Sequence, residues 1–507
     1  MVGGRAWWMV ALAALALPAP AGAAGSLEQV GHSPIGSRGM NSALAIHGDH
    51  AYVGSRSDGG APKGGVAVLD ISDPSSPEVV HTIGPPDEGE PGLSSRELRV
   101  WPRAGLLIVL RFACEAPQTC ADYGAGSSYR FYDIRGENAA RPRLVATYEP
   151  SRVPHEFFLW EDPKRPGRAL LYMSTLTEKG GDDLLVTDIS RAREGVFQEL
   201  TSWQAGIKSD DGSELDLHSL SVSPDGRRGY LAHLAAGFMV IDTSELADAR
   251  PQPVVRALTP VANRAMWGAP GAHSALPLPG RNWALTTDEV YGSTLGVAPA
   301  LGVKVAIGCP WGWTRLIDVA DPARPRVRGE YKVSPYNDRE YCTEERRLQS
   351  EQATFSSHNP TVTQDLAFIT WHSAGLRAVD LSDPAAPRAV ADFQPPPLPG
   401  VATEDPTFST GPDKLVFWSY PIVKDGLIYV VDIRNGLYVL RYRGPHSGQV
   451  SCASFLEGNS NLGQGGEQCP FALPDPRATS TRGGHARVRV SCTTRDAAGC
   501  STRLTLR

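Results

Sequence analysis

One pattern of apolar and polar positions recurs along the chain: a short apolar strand that ends in Asp, a turn rich in proline, and a second strand. The first clear copy reads GGVAVLDISDPSSPEVVHTI. Clear copies begin at Gly64, Gly312 and Gly375, looser copies at Ser127, Leu184 and Gly237, and a shortened copy at Gly436. Such internal periodicity indicates a repeat architecture.

Each copy follows an earlier pair of strands with a hairpin signal between them, as in HSLSVSPDGRRGYLAHL before Gly237. Four short strands in a unit of about 40 to 60 residues form a propeller blade, which buries both faces only when neighbouring blades stack on it. The predicted fold class is therefore all-β, a seven-bladed β-propeller. Its blades begin near Asn41, Arg96, His155, His218, His273, His358 and Trp418.

The seventh copy stops before its final strand, and the missing strand has a candidate at the other end of the chain. SLEQVGHSPIG, from Ser26, resembles the final strands of the other copies. Pairing the two ends removes the open edges of the sheet. We therefore expect the N-terminal strand to close the ring.

The repeated strands, which read VAVLD, MVIDT, RLIDV and RAVDL, resemble the LVIVD-repeat family over roughly residues 27 to 444. The apolar strand followed by a DPxxP turn carries the resemblance. It implies a propeller fold, and it implies no single activity.

The two ends of the chain differ from the repeats. Residues 1–24 combine Arg5, an apolar run and an A-x-A site, which predicts a secretory signal peptide. Residues 26–444 are assigned to the propeller, and residues 445–507 to a small disulfide-rich β tail. We expect a secreted protein, extracellular or held at the cell envelope, without a membrane span.

The eight cysteines fall into pairs that are close in sequence, and in an exported chain such pairs are typical of disulfides. The pairs are Cys114 with Cys120, Cys309 with Cys342, Cys452 with Cys469, and Cys492 with Cys500. The spacing leaves the connectivity open. The last segment is similar to short disulfide-clipped β segments appended to exported actinobacterial proteins, which implies a structural or surface-attachment role.

Histidine occupies the same position in four consecutive repeats. When the seven blades are aligned on their first strands, the position holds His155, His218, His273 and His358, and in the other blades Asn41, Arg96 and Trp418. First strands line the central channel of a propeller, so these side chains are expected to converge on its axis. A single histidine at this position is explained by a hydrogen bond to water or to the backbone. Four neighbouring imidazoles instead favour a bound divalent transition metal such as zinc, copper, iron or manganese.

Carboxylates near these histidines are candidates for a further role. Glu289, on the strand after His273, is the best candidate for a further ligand or a general base. The alternative is that Glu289 is exposed or lies outside the ligand set. Glu156 follows His155 directly and is expected to point away from it, because neighbouring residues of a strand face opposite sides. Asp216 shares a strand face with His218 and is a candidate to orient its ring, and Asp288 is a further candidate to complete or orient the site.

Two further histidines, His233 and His372, fall on second strands. They are one residue out of register with each other, so we expect at most one of them to face the channel. His233 is favoured. Arg96 is the candidate for stabilising anionic charge.

Two functional hypotheses remain open. The first is a metal-dependent oxidase, oxygenase or hydrolase, because four axial histidines on a propeller are similar to the arrangement in carotenoid-cleaving oxygenases and in the selenium-binding and methanethiol oxidase family. The second is a non-catalytic binding or scaffold protein at the cell surface. Both allow a small-molecule or surface ligand, and we expect a monomer. A net charge of −6 and the lack of a dense basic stretch argue against nucleic acid.

Overall fold

Seven antiparallel sheets, arranged as the blades of a β-propeller, make up most of the chain in the computed structural model. The all-β, seven-bladed prediction is thus confirmed. The structure describes residues 25–56, 65–84, 93–113, 124–176, 183–208, 212, 214–267, 271–289, 312–333, 356–404 and 415–464, and the backbone alone of 471–480 and 486–492. The predicted signal peptide, and all predicted cysteine pairs except for Cys452 and the backbone of Cys492, lie outside these residues.

The strands follow one another around the ring in chain order. β1 is Ser26–Ser33. Blade one contains β2 (Asn41–His47), β3 (His50–Ser55), β4 (Val66–Asp70) and β5 (Glu78–Ile83). Blade two contains β6 (Ser94–Trp101), β7 (Leu106–Phe112), β8 (Ser128–Asp133) and β9 (Arg143–Tyr148). Blade three contains β10 (Pro154–Glu161), β11 (Ala169–Thr175), β12 (Leu184–Arg191) and β13 (Val196–Trp203).

The second half of the ring repeats this order. Blade four contains β14 (Ser219–Val222), β15 (Arg228–Ala232), β16 (Phe238–Asp242) and β17 (Arg256–Ala257). Blade five contains β18 (Ala272–Pro277), β19 (Trp283–Asp288), β20 (Thr314–Asp318) and β21 (Arg326–Tyr331). Blade six contains β22 (Pro360–Val362), β23 (Leu366–Thr370), β24 (Leu376–Asp380) and β25 (Arg388–Phe393). Blade seven contains β26 (Ile422–Lys424), β27 (Leu427–Asp432) and β28 (Gly436–Arg443).

The outer edge of blade seven is occupied by β1, which pairs with β28 in antiparallel register from Ser26 opposite Arg443 to Ser33 opposite Leu437. Short α-helices lie at Ser244–Ala247 and Ser447–Ser451. Short 3-10 helices lie at Ile35–Ser37, Pro102–Ala104, Gly136–Ala139, Ala192–Glu194 and Val261–Asn263.

Apolar side chains on both faces of each blade form the core between neighbouring blades. β7 has the sequence LLIVLRF, and six of its seven residues are buried. One cluster joins blades three and four through Phe158, Tyr172, Leu220 and Met239. Because burial of apolar area is the main stabilising contribution to folding, the interfaces between blades rather than single blades hold the ring together.

The Asp that ends each repeated strand has a local structural role. The Asp70 carboxylate accepts a hydrogen bond from the backbone N–H of Ser72 at 2.8 Å, and Asp318 and Asp380 accept the equivalent bonds from Ala320 and Ser382. Such side-chain bonds replace a strand partner and start a turn. The repeated Asp-Pro pattern therefore marks the point at which the third strand of a blade turns into the fourth.

Residues 455–464, which we call the channel segment, follow the last blade and return to the propeller axis. β29 (Phe455–Leu456) pairs with the innermost strand of blade seven, β26. Ser460 then forms a parallel bridge with Leu159 on the innermost strand of blade three. The channel segment thus crosses from one side of the channel to the other, at the end opposite the histidines on β10.

The rest of the predicted tail is described only as a backbone hairpin, β30 (Phe471–Ser480) with β31 (Ala486–Cys492). Cys452 is not a free thiol. The other cysteine side chains are outside the described residues, so the disulfide pattern stays a prediction. No helix in the described part of the chain is long and apolar enough to cross a membrane.

Candidate metal centre

The aligned position of the seven repeats lies at the start of each innermost strand. A break in strand pairing occurs there in three blades, between Ser95 and Glu97, between Pro154 and Glu156, and between Ala272 and Ser274. The residues left without a partner in the ladder are Arg96, His155 and His273. A β-bulge redirects the side chain of its extra residue, so the backbone itself turns these groups toward the axis.

The four predicted histidines form a continuous row. Ring centroids are 4.5 Å apart for His155 and His218, 4.1 Å for His218 and His273, and 4.3 Å for His273 and His358. All four are buried, with exposed fractions of 1 to 8%. The predicted convergence of the four imidazoles is therefore present in the structure.

Glu289 lies at the centre of this row, directly after β19. Its carboxylate oxygens are 3.5 Å from Nε2 of His218, 3.4 Å from Nε2 of His273 and 3.2 Å from Nε2 of His358. His155 does not join these three, but its Nε2 lies 3.0 Å from Nε2 of His218. One carboxylate thus faces three imidazoles, with the fourth adjacent.

The hydrogen bonds behind the rings fix which nitrogen carries the proton in the neutral imidazoles. Nδ1 of His358 lies 2.9 Å from the carbonyl oxygen of Trp418, which can only accept. Nδ1 of His273 lies 2.8 Å from Ser274 Oγ, which donates to Asn359. With both Nδ1 atoms protonated, the Nε2 atoms present lone pairs to Glu289.

Two acceptors therefore face each other at the centre. Nε2 of His358 and Oε1 of Glu289 are both buried, and neither has a hydrogen-bond partner among the described residues. A buried lone pair opposite a carboxylate oxygen is unfavourable unless a cation or a proton lies between them. This pair of atoms is therefore suited to hold a cation between them.

The distances from Glu289 to the neighbouring imidazole nitrogens fit pairs of donors on a metal ion. Bonds of about 2.0 to 2.2 Å with angles of about 90 to 110° place two donors of one transition metal about 2.8 to 3.6 Å apart. The separations around Glu289 run from 3.2 to 3.5 Å. His273, Glu289 and His358 form one group of closely spaced donors, and Glu156, His218 and His273 form a second.

Burial keeps the histidines in the form that binds metals. It lowers the pKa of His218 to about 4, and burial together with the charge of Arg96 holds the pKa of His155 well below its usual value. Burial also lowers the pKa of His273. For Glu289, burial acts to raise the pKa, but the positive charge that a proton brings to His273, His358 or His218 outweighs burial and lowers the pKa, so the carboxyl group is the one that stays ionised. Neutral imidazoles around an ionised carboxylate are a set of metal donors.

The prediction that Glu156 points away from the histidines is wrong. Its Oε1 lies 3.8 Å from Nε2 of His273 and 3.9 Å from Nδ1 of His218. The bulge at His155 interrupts the alternation of the strand, so two successive residues both reach the channel. Burial and the neighbouring Glu97 raise the pKa of Glu156 to about 8.

The preference for His233 over His372 is also wrong. The His372 ring lies 4.9 Å from that of His358 and stacks parallel to Trp418 at 5.8 Å, which places it beside the row. His233 Nε2 lies 3.8 Å from Asp183 instead. His372 has a positive φ of 21°, in the tight turn that follows β23, and strand alternation does not apply to such a residue.

The two aspartates have different surroundings. Asp288 accepts two bonds of 2.6 Å from Arg315 and one of 2.9 Å from the Trp267 indole, so it serves as a buried anchor just before Glu289. Asp216 is half-buried and precedes β14. The carboxylates that lie near His218 are Glu156 and Glu289, and a role for Asp216 stays a prediction.

A second polar level lies directly behind the first. The residue after the aligned position is polar and buried in every blade: Ser42, Glu97, Glu156, Ser219, Ser274, Asn359 and Ser419. Tyr420 connects this level, with its hydroxyl 3.2 Å from Ser274 Oγ and 3.5 Å from Ser219 Oγ. In the aligned repeats, the residue after the histidine position is polar in all seven blades. This pattern was the sequence signal that Glu156 lies in the channel.

Together these features define a seven-bladed propeller with a histidine and carboxylate centre in its channel. The LVIVD repeat family matches residues 38–83, which cover blade one, and the chain is an LVIVD-repeat β-propeller. The predicted resemblance is thereby confirmed. No curated protein matches the chain.

Solved structures of similar fold include Sqt1 from Chaetomium thermophilum. One Sqt1 structure is 14% identical, with a TM-score of 0.47, and the match covers 83% of this chain and 98% of that one. A second is 13% identical, with a TM-score of 0.46 and coverage of 82% and 99%. A third, bound to the N-terminus of ribosomal protein L10, is 13% identical, with a TM-score of 0.45 and coverage of 85% and 98%. Similarity at this level carries no information about function.

Proposed function

We propose that the protein binds one divalent transition metal ion in its channel through His218, His273, His358 and Glu289, with His155 beside them as a neighbour of His218. The observation that carries this proposal is the buried Nε2 of His358 at 3.2 Å from Oε1 of Glu289, without a hydrogen bond on either atom. Imidazole nitrogen with carboxylate oxygen suits zinc, iron, manganese or copper.

We propose further that the metal serves catalysis, as in a metal-dependent oxidase, oxygenase or hydrolase. A bound metal of this kind activates water or oxygen. The channel positions outside the histidine row hold Asn41, Arg96 and Trp418, which supply a hydrogen-bonding group, a cation and an aromatic face in place of further ligands. Iron and manganese take up to six ligands, so four protein donors leave positions for a reactant on this side of the channel.

The metal content of the purified protein tests the proposal. Inductively coupled plasma mass spectrometry of the chain without residues 1–24 should give about one metal per protein, and His218→Ala with His273→Ala should lose it. His233→Ala is the matched control, because it removes an equally buried imidazole that lies near Asp183.

A folded wild-type protein that stays metal-free after supplementation with zinc, copper, iron and manganese contradicts the proposal. It leaves the propeller as a binding or scaffold protein. Metal that persists in the double variant contradicts the assignment of ligands.

The remaining proposals concern the rest of the chain. We propose that residues 1–24 direct export, that the pairing of β1 with β28 closes the ring as a monomer, and that the cysteines of residues 445–507 form disulfides. The sequence supports the first and third, and the register from Ser26 to Ser33 supports the second.

A further inference from the structure

Two buried arginines lie beside the histidine row. Arg96, with an exposed fraction of 5%, has Nη2 at 3.0 Å from Nε2 of His155, and its guanidinium lies 4.8 Å from the centre of the Phe112 ring. Arg56, with an exposed fraction of 6%, lies over the Trp418 ring at 4.4 Å. Guanidinium groups that rest on aromatic faces keep a fixed orientation in a partly desolvated site.

The two arginines come from neighbouring blades that touch beside them. A Cβ atom on Gly54, two residues before Arg56, would lie 2.2 Å from the carbonyl oxygen of Ser95, the residue before Arg96. Ser42 Oγ also donates to that carbonyl at 2.9 Å. Arg56 follows β3 of blade one and Arg96 lies on β6 of blade two, so the two cations flank one blade interface at the channel.

This interface lies across the channel from the proposed ligands. In a ring of seven blades, the position opposite blades one and two is occupied by blades five and six, which supply His273, Glu289 and His358. The two arginine side chains therefore start across the channel from Glu289 and reach the two ends of the histidine row, at His155 and at Trp418. Trp418, whose ring lies 4.0 Å from that of His358, connects the two sides.

We propose that Arg56 and Arg96 bind the carboxylate of a small organic acid, whose far end faces the metal centre. This inference names the substrate class of the proposed function and rests on it. Arginine binds a carboxylate through paired, charge-assisted hydrogen bonds. The channel segment crosses the channel at the end opposite the histidines.

Binding of sodium benzoate, measured by isothermal titration calorimetry at constant ionic strength, tests this inference. Benzamide serves as the uncharged analogue, and inorganic phosphate as the other oxyanion. Arg56→Gln and Arg96→Gln should each weaken benzoate binding by about tenfold or more, because hydrogen bonds to charged groups are lost. Arg191→Gln, which removes an exposed cation on blade three paired with Glu194, should leave the affinity unchanged.

The lysine variants keep the test valid if a glutamine variant does not fold. Arg56→Lys and Arg96→Lys preserve the charge but lose the planar fork, so they should show an intermediate affinity. Benzoate binding of equal strength in wild type and the arginine variants overturns the inference. Binding of phosphate but not benzoate, or of benzamide as tightly as benzoate, also overturns it.

Metal analysis of the same samples separates this inference from the proposed function. Metal-free protein that still binds benzoate in an arginine-dependent way shows that the arginines bind the acid even where the metal proposal fails. Metal-loaded protein whose benzoate affinity does not depend on Arg56 or Arg96 supports the metal centre and overturns the carboxylate site.

Discussion

Glu289→Gln is expected to remove most of the stabilisation of the protein by metal while leaving the fold intact. Glu289 supplies the only carboxylate within 3.5 Å of three imidazole Nε2 atoms among the described residues, and an amide oxygen carries no compensating charge. A ligand at about a hundred times its Kd stabilises a protein by about 2.7 kcal/mol, and a hundredfold loss of affinity reduces this to about 0.4 kcal/mol. Thermal unfolding with and without added zinc measures the difference.

Glu156→Gln is the matched control for this prediction. It makes the same change in the same channel, but the Glu156 carboxylate lies 3.8 and 3.9 Å from the nearest imidazole nitrogens. We expect it to reduce the metal-induced shift in Tm much less. A shift that is equal to wild type in Glu289→Gln contradicts the role of Glu289 as a ligand.

Arg99→Met is expected to cost about 3 to 5 kcal/mol of unfolding free energy, the usual effect of breaking a buried ion pair. The Arg99 guanidinium is fully buried and bonds to Glu97 at 2.9 Å, to the carbonyl of Phe157 on blade three at 3.0 Å, and to the carbonyl of Asn459 in the channel segment at 3.1 Å. One side chain therefore joins blade two, blade three and the channel segment. Urea denaturation measures the loss.

The expected local effect is release of the channel segment. Hydrogen exchange of the amides of Leu159 and Asn461, which bond across the junction at 3.2 Å each, should accelerate in Arg99→Met. Arg103→Met removes an exposed arginine paired with Glu161 on the same side of the ring, and should cost less than about 1 kcal/mol. Equal losses in the two variants contradict the role of Arg99.

The loss should be partly recovered when Glu97 is neutralised as well. Much of the cost of Arg99→Met arises from the Glu97 carboxylate that is left buried without its partner. The double variant Glu97→Gln with Arg99→Met should therefore be more stable than Arg99→Met alone. This comparison separates the ion pair from the bonds to Phe157 and Asn459.

The sequence predicted the ring and the first level of the channel because both depend on periodicity. Apolar strands ending in Asp fix the third strand of each blade, and alignment of the repeats brought His155, His218, His273 and His358 to one level. Glu289 was also found, because it follows β19 at the same end as the histidines.

The wrong predictions concern residues at which the local backbone departs from the two-residue alternation of a strand. Strand alternation placed Glu156 outside the channel, but the bulge at His155 turns both residues inward. Strand alternation also favoured His233 over His372, but His372 lies in a turn with a positive φ, where this alternation does not apply. The path of the channel segment was not predictable, because residues 455–464 contain no repeat and their place is fixed by long-range contacts with Arg99 and Leu159.

Anomalous diffraction from crystals grown with zinc, recorded at the zinc absorption edge, tests the central proposal most directly. The proposal predicts one dominant peak in the channel, within bonding distance of Nε2 of His218, His273 and His358 and of the Glu289 carboxylate, at about 2.0 to 2.2 Å. Well-ordered zinc bound elsewhere, with the channel histidines and Glu289 still at their metal-free separations, would contradict it.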